Sequence, residues 1–315
     1  MKKVLFVDEV HPVLAERLTA LGFDCEYDYH SSKSEIEQKI ENFYGLVIRS
    51  RFPLDKNFLQ KAINLKFIAR SGSGLENIDL QTAKELSIRV FNSPEGNATA
   101  VAEHAVGMLL TLFNKICLGN YEVKNKQWNR EKNRGIELEG KTVGIIGYGV
   151  MGTAFAKRLQ GFGCTVLAHD KYKQHFGNHF IKECSLDEIY EQTQIISLHL
   201  PQTKETLHYV NDDFIRKMKN PFYLINTARG KNVSTQALVK GLKSGKILGA
   251  CLDVLEYEKS SFEQLETDEY FQYLSQADNV LLTPHVAGWT VESYFKLSDI
   301  LAEKIENWLK HQHQV

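Results

Sequence analysis

The chain has 315 residues, 43% hydrophobic and 24% charged, with a formal net charge of -1. This length exceeds one ordinary hydrophobic core and predicts two domains with a cleft between them. The near-neutral balance supplies no basic tract for a phosphate backbone, which excludes nucleic acid as a main partner, and no apolar run reaches the roughly 20 residues of a membrane-spanning helix.

Val4 to Val7 reads as a first strand, and Asp8 and Glu9 cut that apolar run too short for a secretory signal. A helix near Val13 to Leu21 follows, then strands at Leu46 to Ile48 and Phe67 to Ala69. Strands alternating with amphipathic stretches predict a mainly parallel sheet covered on both faces, because parallel strands need crossover connections. Asn92-Ser93-Pro94-Glu95-Gly96-Asn97 is a turn-rich break, read as a hinge, and a long helix is expected from Thr99 to about Lys124. A second series has six strand candidates: Lys141 to Ile146, Thr165 to Ala168, Ile195 to Leu198, Phe222 to Ile225, Ile247 to Leu252 and Val280 to Leu282. A last helix, Val291 to Leu309, is expected to cross back onto the first domain. The fold class is thus α/β, two doubly wound parallel-sheet domains. Five cysteines (Cys25, Cys117, Cys164, Cys184, Cys251) lack any C-x-x-C pairing, which fits neither a disulfide framework nor a zinc site; no metal and a reducing cytoplasm are expected.

Gly147-Tyr148-Gly149-Val150-Met151-Gly152 is a G-x-G-x-x-G between a strand and a helix. In that setting the first glycine allows a tight turn, the second admits a pyrophosphate against the backbone, and the third permits close helix-on-strand packing. Amides at the helix start then hold the anion. Asp170, about 20 residues on at a strand end, is the carboxylate expected on the ribose hydroxyls, which favours NAD over NADP, although Lys171 and Lys173 stand nearby. The alternative is a plain turn and a plain strand end.

Hydride transfer to a 2-oxo acid needs a cation for the carboxylate and carbonyl, and an acid for the new alkoxide. Arg229, in Asn226-Thr227-Ala228-Arg229-Gly230, follows one strand; Asp253 and Glu258 follow the next; His285, in Thr283-Pro284-His285-Val286-Ala287-Gly288, follows the last. Ligands of open α/β sheets bind at such carboxyl ends. A Glu258 carboxylate on His285 would orient the ring. Singly, each could be a satisfied polar group or a surface ion pair.

Together, Gly147 to Gly152, Arg229, Glu258 and His285, in this order, resemble the D-isomer-specific 2-hydroxyacid dehydrogenase family. The resemblance covers nearly the whole chain: Arg70 to Asp79 is similar to that family's substrate loop, Asn97 to His104 to its interdomain helix start, and Gly135 to Gly152 also matches. It implies a Rossmann NAD-binding domain (97–289) inserted into a flavodoxin-like substrate domain (1–96 plus 290–315). It also implies Arg229, Glu258 and His285 as the catalytic triad, with Asp253 in support. Cofactor contacts are expected from Gly147, Tyr148, Gly149, Val150, Met151, Gly152, Asp170, His199, Pro201, Thr206, Thr227, Ala228, Asp253 and Gly288. Ser73 and Gly74 amides are expected on the substrate carboxylate, and Asn97 is expected to bind substrate as well. A homodimer acting on a small 2-hydroxy or 2-oxo acid is implied.

Among relatives the phosphoglycerate dehydrogenases look nearest, with Arg49, Arg51 and Arg70 gathered around a phosphate; otherwise these are two solvated arginines and a packing pair. Glyoxylate or hydroxypyruvate reductase, D-lactate dehydrogenase and a non-enzymatic NAD-sensing scaffold are the alternatives. Formate chemistry fits less well, because that branch lacks the glutamate kept here as Glu258. No further C-terminal domain is expected, and with it no feedback by serine. Three departures stand out: Lys259 in place of a proline, a long stretch from Lys259 to Asn279, and Ala287 with Trp289 where smaller residues are usual.

Overall fold

The computed structural model describes residues 1–258 and 268–312; Lys259 and the first part of the long stretch after it lie outside the described residues. The chain forms two compact units, Met1–Asn97 with Trp289–Val315, and Ala98–Gly288.

The first unit contains β1 (Lys2–Phe6), α1 (Val13–Ala20), β2 (Phe23–Tyr27), α2 (Lys33–Lys39), β3 (Gly45–Ile48), α3 (Lys56–Lys61), β4 (Phe67–Arg70), α4 (Leu80–Glu85) and β5 (Arg89–Asn92). Its five strands are parallel in the order β2-β1-β3-β4-β5, the flavodoxin-like order. Successive residues point to opposite faces. Leu5, Leu46, Ile48 and Ile68 pack with Ile36, Phe58 and Leu59 from α2 and α3, whereas Val4, Phe6, Val47 and Phe67 pack with Leu14 and Leu18 from α1 and with Leu301 and Ile305. Both faces are dry, so these strands read as near-continuous apolar runs.

The second unit contains α5 (Pro94–Phe113, with its first turn in the first unit), α6 (Ile116–Lys124), β6 (Thr142–Ile146), α7 (Val150–Arg158), β7 (Thr165–His169), β8 (Ile181–Glu183) and α8 (Leu186–Gln192). It continues with β9 (Ile195–Leu198), α9 (Asp212–Lys217), β10 (Phe222–Asn226), α10 (Thr235–Lys243), β11 (Ile247–Leu252), α11 (Glu269–Gln276) and β12 (Val280–Leu282). The seven parallel strands run β12-β11-β10-β9-β6-β7-β8, the Rossmann order with one added strand. Order reverses between β6 and β9, so their carboxyl ends flank the switch point where ligands of such sheets bind. α12 (Val291–Gln312) returns to the first unit, where Arg17 of α1 pairs with Asp299 at 2.7 Å and Glu306 at 2.9 Å.

Several expectations need correction. β2, β5 and β8 were not expected as strands, and all three are sheet edges; β2 reads Phe-Asp-Cys-Glu-Tyr and is mostly half-exposed, so it lacks an apolar run. Inside the break at Asn92 to Asn97, α5 already starts at Pro94: a proline at the first helical position loses no bond. The expected single helix to Lys124 is two, bent by 58°, where Lys115 adopts a left-handed φ of 50°. The long segment before Asn279 contains α11, whose Asp268 cap accepts from the Phe271 amide at 2.9 Å and from the Tyr257 hydroxyl at 2.7 Å.

Two side chains fasten the carboxyl ends of the first sheet. Asp8, after β1, accepts from the backbone amides of Arg49 at 2.6 Å and Arg51 at 3.3 Å. Arg51 donates to the carbonyls of Val7 at 2.9 Å, Asp28 at 2.7 Å and Ser31. Its expected role on a substrate phosphate is therefore corrected: the guanidinium is committed to three backbone oxygens. Arg51→Ala would leave those carbonyls short of donors at about 1 kcal/mol or more each, and a loss of about 2–4 kcal/mol is expected in urea unfolding.

Candidate active site

The glycine-rich turn does what its spacing demands. Gly147 adopts φ 93°, and a Cβ there would come within 2.5 Å of the His199 carbonyl oxygen. The turn thus crosses against the end of β9 and tolerates no side chain. A Cβ on Gly152 would meet the Gly147 carbonyl oxygen at 2.1 Å, so α7 sits against its own strand; at Gly149 nothing lies within 4 Å. An open glycine beside first-turn amides that have no partner inside the helix suits a pyrophosphate. Val150 opens α7 and is 41% exposed, with the half-buried Met151 after it.

Asp170, at the end of β7, accepts from the amides of Tyr148 at 2.7 Å and of Tyr172 and Lys173 at 2.9 Å each. Partial burial works against its charge, but these amides outweigh it and hold the carboxyl below its ordinary range. The carboxylate is thus fixed next to the glycine turn, and Tyr148 turns inward to stack on Phe176 with centroids 4.4 Å apart. His199, Pro201 and Thr206 follow β9: Thr206 donates to the Pro201 carbonyl at 2.6 Å, and Asn232 bridges the carbonyls of Thr206 at 3.0 Å and Pro201 at 3.4 Å.

The loops after β10, β11 and β12 interlock. Asn226 accepts from the Ala228 amide at 3.1 Å and donates to the Arg229 carbonyl at 2.9 Å, closing the turn that presents Arg229. Thr227 and Ala228 are buried in that turn, and the Thr227 hydroxyl has no hydrogen-bond partner among the described residues. A Cβ on Gly230 would lie 1.9 Å from the Leu255 carbonyl oxygen, so the Arg229 turn rides directly on the loop after β11. In that loop the Leu255 amide donates to one oxygen of Glu258. The other oxygen of Glu258 lies 2.6 Å from Nδ1 of His285.

Asp253 is 2% exposed and organises the His285 loop. Its carboxylate accepts from the Thr283 hydroxyl at 2.6 Å and from the amides of Val286 and Ala287 at 2.9 Å each, and its carbonyl accepts from the His285 amide at 2.8 Å. Under these bonds His285 takes a left-handed φ of 55°, a conformation that costs a non-glycine residue about 1 kcal/mol. Gly288 ends the loop, half-buried. His104, on α5, lies 3.1 Å from the Thr283 hydroxyl and 3.6 Å from Asp253. Nothing in the helical spacing of α5 announced it.

In the first unit, β3 and β4 pair Ile48 with Arg70, so Arg49 and Arg70 leave neighbouring strand ends. Arg70 packs over Gly72, where a Cβ would strike its Nη1 at 1.4 Å. The loop that follows is pinned by Ser73 Oγ donating to Asn97 at 2.6 Å and Asn92 donating to the Ser73 carbonyl at 2.7 Å. Among the described residues no acceptor takes the Ser73 or Gly74 amide.

Comparison with known proteins comes down on one family. The model of the D-isomer specific 2-hydroxyacid dehydrogenase NAD binding domain matches residues 106–287. A D-3-phosphoglycerate dehydrogenase of Archaeoglobus fulgidus is 34% identical over 310 residues, 98% of this chain and 57% of that protein. A hydroxypyruvate reductase of Thermotoga maritima is 38% identical over 276 residues, 88% of each. The crystal structure of a D-lactate dehydrogenase from Aquifex aeolicus, complexed with NAD and lactic acid, superposes with a TM-score of 0.82 at 30% identity, over 99% of this chain and 97% of that one. The chain thus spans little more than half the length of the Archaeoglobus relative.

One member of the site carries a pH signature. Burial pushes the His199 imidazole from 6.5 down to about 3, and its Nε2 lies 2.9 Å from the Ser197 hydroxyl. Between those two values the unfolded chain binds a proton that the folded chain refuses, so stability is intact above about 6.5 and falls as pH drops towards 3. A loss on the order of 2 kcal/mol between about pH 7 and pH 5 is expected from this group. Denaturant melts of His199→Gln at both pH values should show a smaller difference than the parent; an equal difference sinks the assignment.

Proposed function

Because this chain belongs to the D-isomer specific 2-hydroxyacid dehydrogenase family, we propose that it moves a hydride between NAD(H) and C2 of a small 2-hydroxy or 2-oxo acid. The contact of Glu258 with His285 Nδ1 at 2.6 Å carries this reading. When bound, NAD supplies or takes the hydride. Glu258 keeps Nδ1 occupied, so Nε2 is the ring nitrogen that gives a proton to, or takes one from, the oxygen on C2. The Arg229 guanidinium grips the carboxylate and polarises the neighbouring carbonyl, a planar two-point contact that lysine does not reproduce. Asp253 holds the His285 loop and touches neither reactant. The open Gly149 and the amides of Val150 and Met151 receive the pyrophosphate, and Asp170 the ribose.

For the acid itself the proposal favours a phosphorylated three-carbon 2-oxo acid, the D-3-phosphoglycerate dehydrogenase reaction of serine synthesis. Arg49, with Arg70 beside it, takes the phosphate, while the Ser73 and Gly74 amides take the carboxylate. The proposed working form is a cytoplasmic homodimer. Two features support this reading: among the described residues no oxygen is hydrogen-bonded to the Arg49 guanidinium, and curated relatives over most of this chain carry the phosphoglycerate dehydrogenase name.

His285→Ala is expected to cut turnover about 10²–10⁴-fold with little change in NADH affinity; retained turnover would falsify its role in proton transfer. In a panel of phosphohydroxypyruvate, hydroxypyruvate, glyoxylate and pyruvate followed by NADH oxidation, the phosphorylated acid should give the highest kcat/KM. Arg51→Ala, folded at low temperature, should leave that ranking intact. A ranking headed by glyoxylate or pyruvate would replace the substrate but not the reaction.

A further inference from the structure

Trp289 is a large aromatic residue, 63% exposed, four residues after His285 in the chain. Its backbone leads into α12 through a reciprocal cap, in which the Thr290 amide donates to Ser293 Oγ at 2.9 Å and the Ser293 amide to Thr290 Oγ1 at 3.0 Å. The indole lies over the Arg49 guanidinium, with Cζ 4.0 Å from the ring centroid. At its other end Arg49 is held through its own amide by Asp8 at 2.6 Å. Arg49 is thus fixed at both root and tip.

Its chemistry is unlike that of Arg51, two residues away. Arg51 spends its donors on three carbonyls, whereas the Arg49 guanidinium has no oxygen acceptor and no ion pair among the described residues, although it is half-buried. Stacking on an aromatic face leaves the in-plane N–H edge of a guanidinium available for a two-point contact with an oxyanion. A half-buried cation with its donors unspent binds such a group strongly, because little solvation is given up. Burial lowers the Arg49 pKa from its ordinary value, opposed first by the Asp8 carboxylate and then by Tyr294 on the first turn of α12; the His11 ring lies 5.4 Å from the Tyr294 ring and 5.1 Å from the Phe295 ring.

We propose that Trp289 is a positioning residue that presets the Arg49 guanidinium to grip an oxyanion at the non-reacting end of the 2-oxo acid, and so sets which acids are preferred. This rests on the dehydrogenase reading above. The shared chemistry is a terminal oxyanion, either a phosphate ester or a second carboxylate.

The test uses the full chain and five forms: parent, Trp289→Ala, Trp289→Phe, Arg49→Gln, and Trp289→Ala combined with Arg49→Gln. KM and kcat are measured with NADH on phosphohydroxypyruvate, on oxaloacetate and on hydroxypyruvate, which lacks a terminal charge. Trp289→Ala should raise KM for the anion-tailed acid about fivefold relative to hydroxypyruvate, with the effect in KM rather than kcat. Trp289→Phe should recover most of it, and Arg49→Gln should abolish the discrimination so that adding Trp289→Ala changes nothing further. The acid that responds identifies phosphate or carboxylate as the tail. Equal KM changes on all three acids, or full additivity of the two substitutions, overturn the proposal. If no acid is turned over, the dehydrogenase reading fails by itself, and calorimetric titration with 3-phosphoglycerate and D-malate decides this one: binding weakened by Trp289→Ala upholds it, and no binding to the parent chain overturns it.

Discussion

The carboxylate of Asp253 bears most of the weight in the second unit. A buried charge persists only when its lone pairs are filled, and here one hydroxyl and two consecutive amides of the loop after β12 fill them. The loop is thereby drawn around Asp253, and His285 is forced into a left-handed conformation that its sequence would not choose. That conformation turns Nδ1 onto Glu258. The imidazole is aimed from below, by a group that need never touch a reactant.

Close backbone approach does comparable work elsewhere. Gly147 against the His199 carbonyl and Gly230 against the Leu255 carbonyl are crossings at which any side chain would collide. The first packs the glycine-rich turn onto the strand across the switch point. The second locks the Arg229 turn to the loop that carries Glu258. Both depend on parallel strands ending at the same edge of the sheet, the property that gathers loops remote in sequence.

Arg49 and Arg51 illustrate how one residue type divides its labour. Both follow β3 and both have their amides held by Asp8, but one guanidinium closes backbone carbonyls and the other stacks on an indole. As bare positions they were indistinguishable: two arginines with one serine between them. Their fates are set by partners 20 to 240 residues distant in sequence.

Much was legible because its signal is local. The covered strands β1, β3, β4, β6, β7, β9, β10 and β11 announce themselves as apolar runs, since both faces are dry. The edge strands β2, β5 and β8 escaped notice because an edge is half wet and its residues are accordingly mixed. The G-x-G-x-x-G turn, the ribose-side carboxylate, and the order Arg229, Glu258, His285 were readable as well, for a chemical step restricts residue type and strand ends restrict position. What the chain could not declare by itself was partnership: that Asp253 faces inward, that Arg51 is structural, that Trp289 covers Arg49, that His104 stands beside Thr283. Those are contacts across long stretches of sequence, and only packing of the folded chain decides which of several equally suitable polar groups fills a given lone pair.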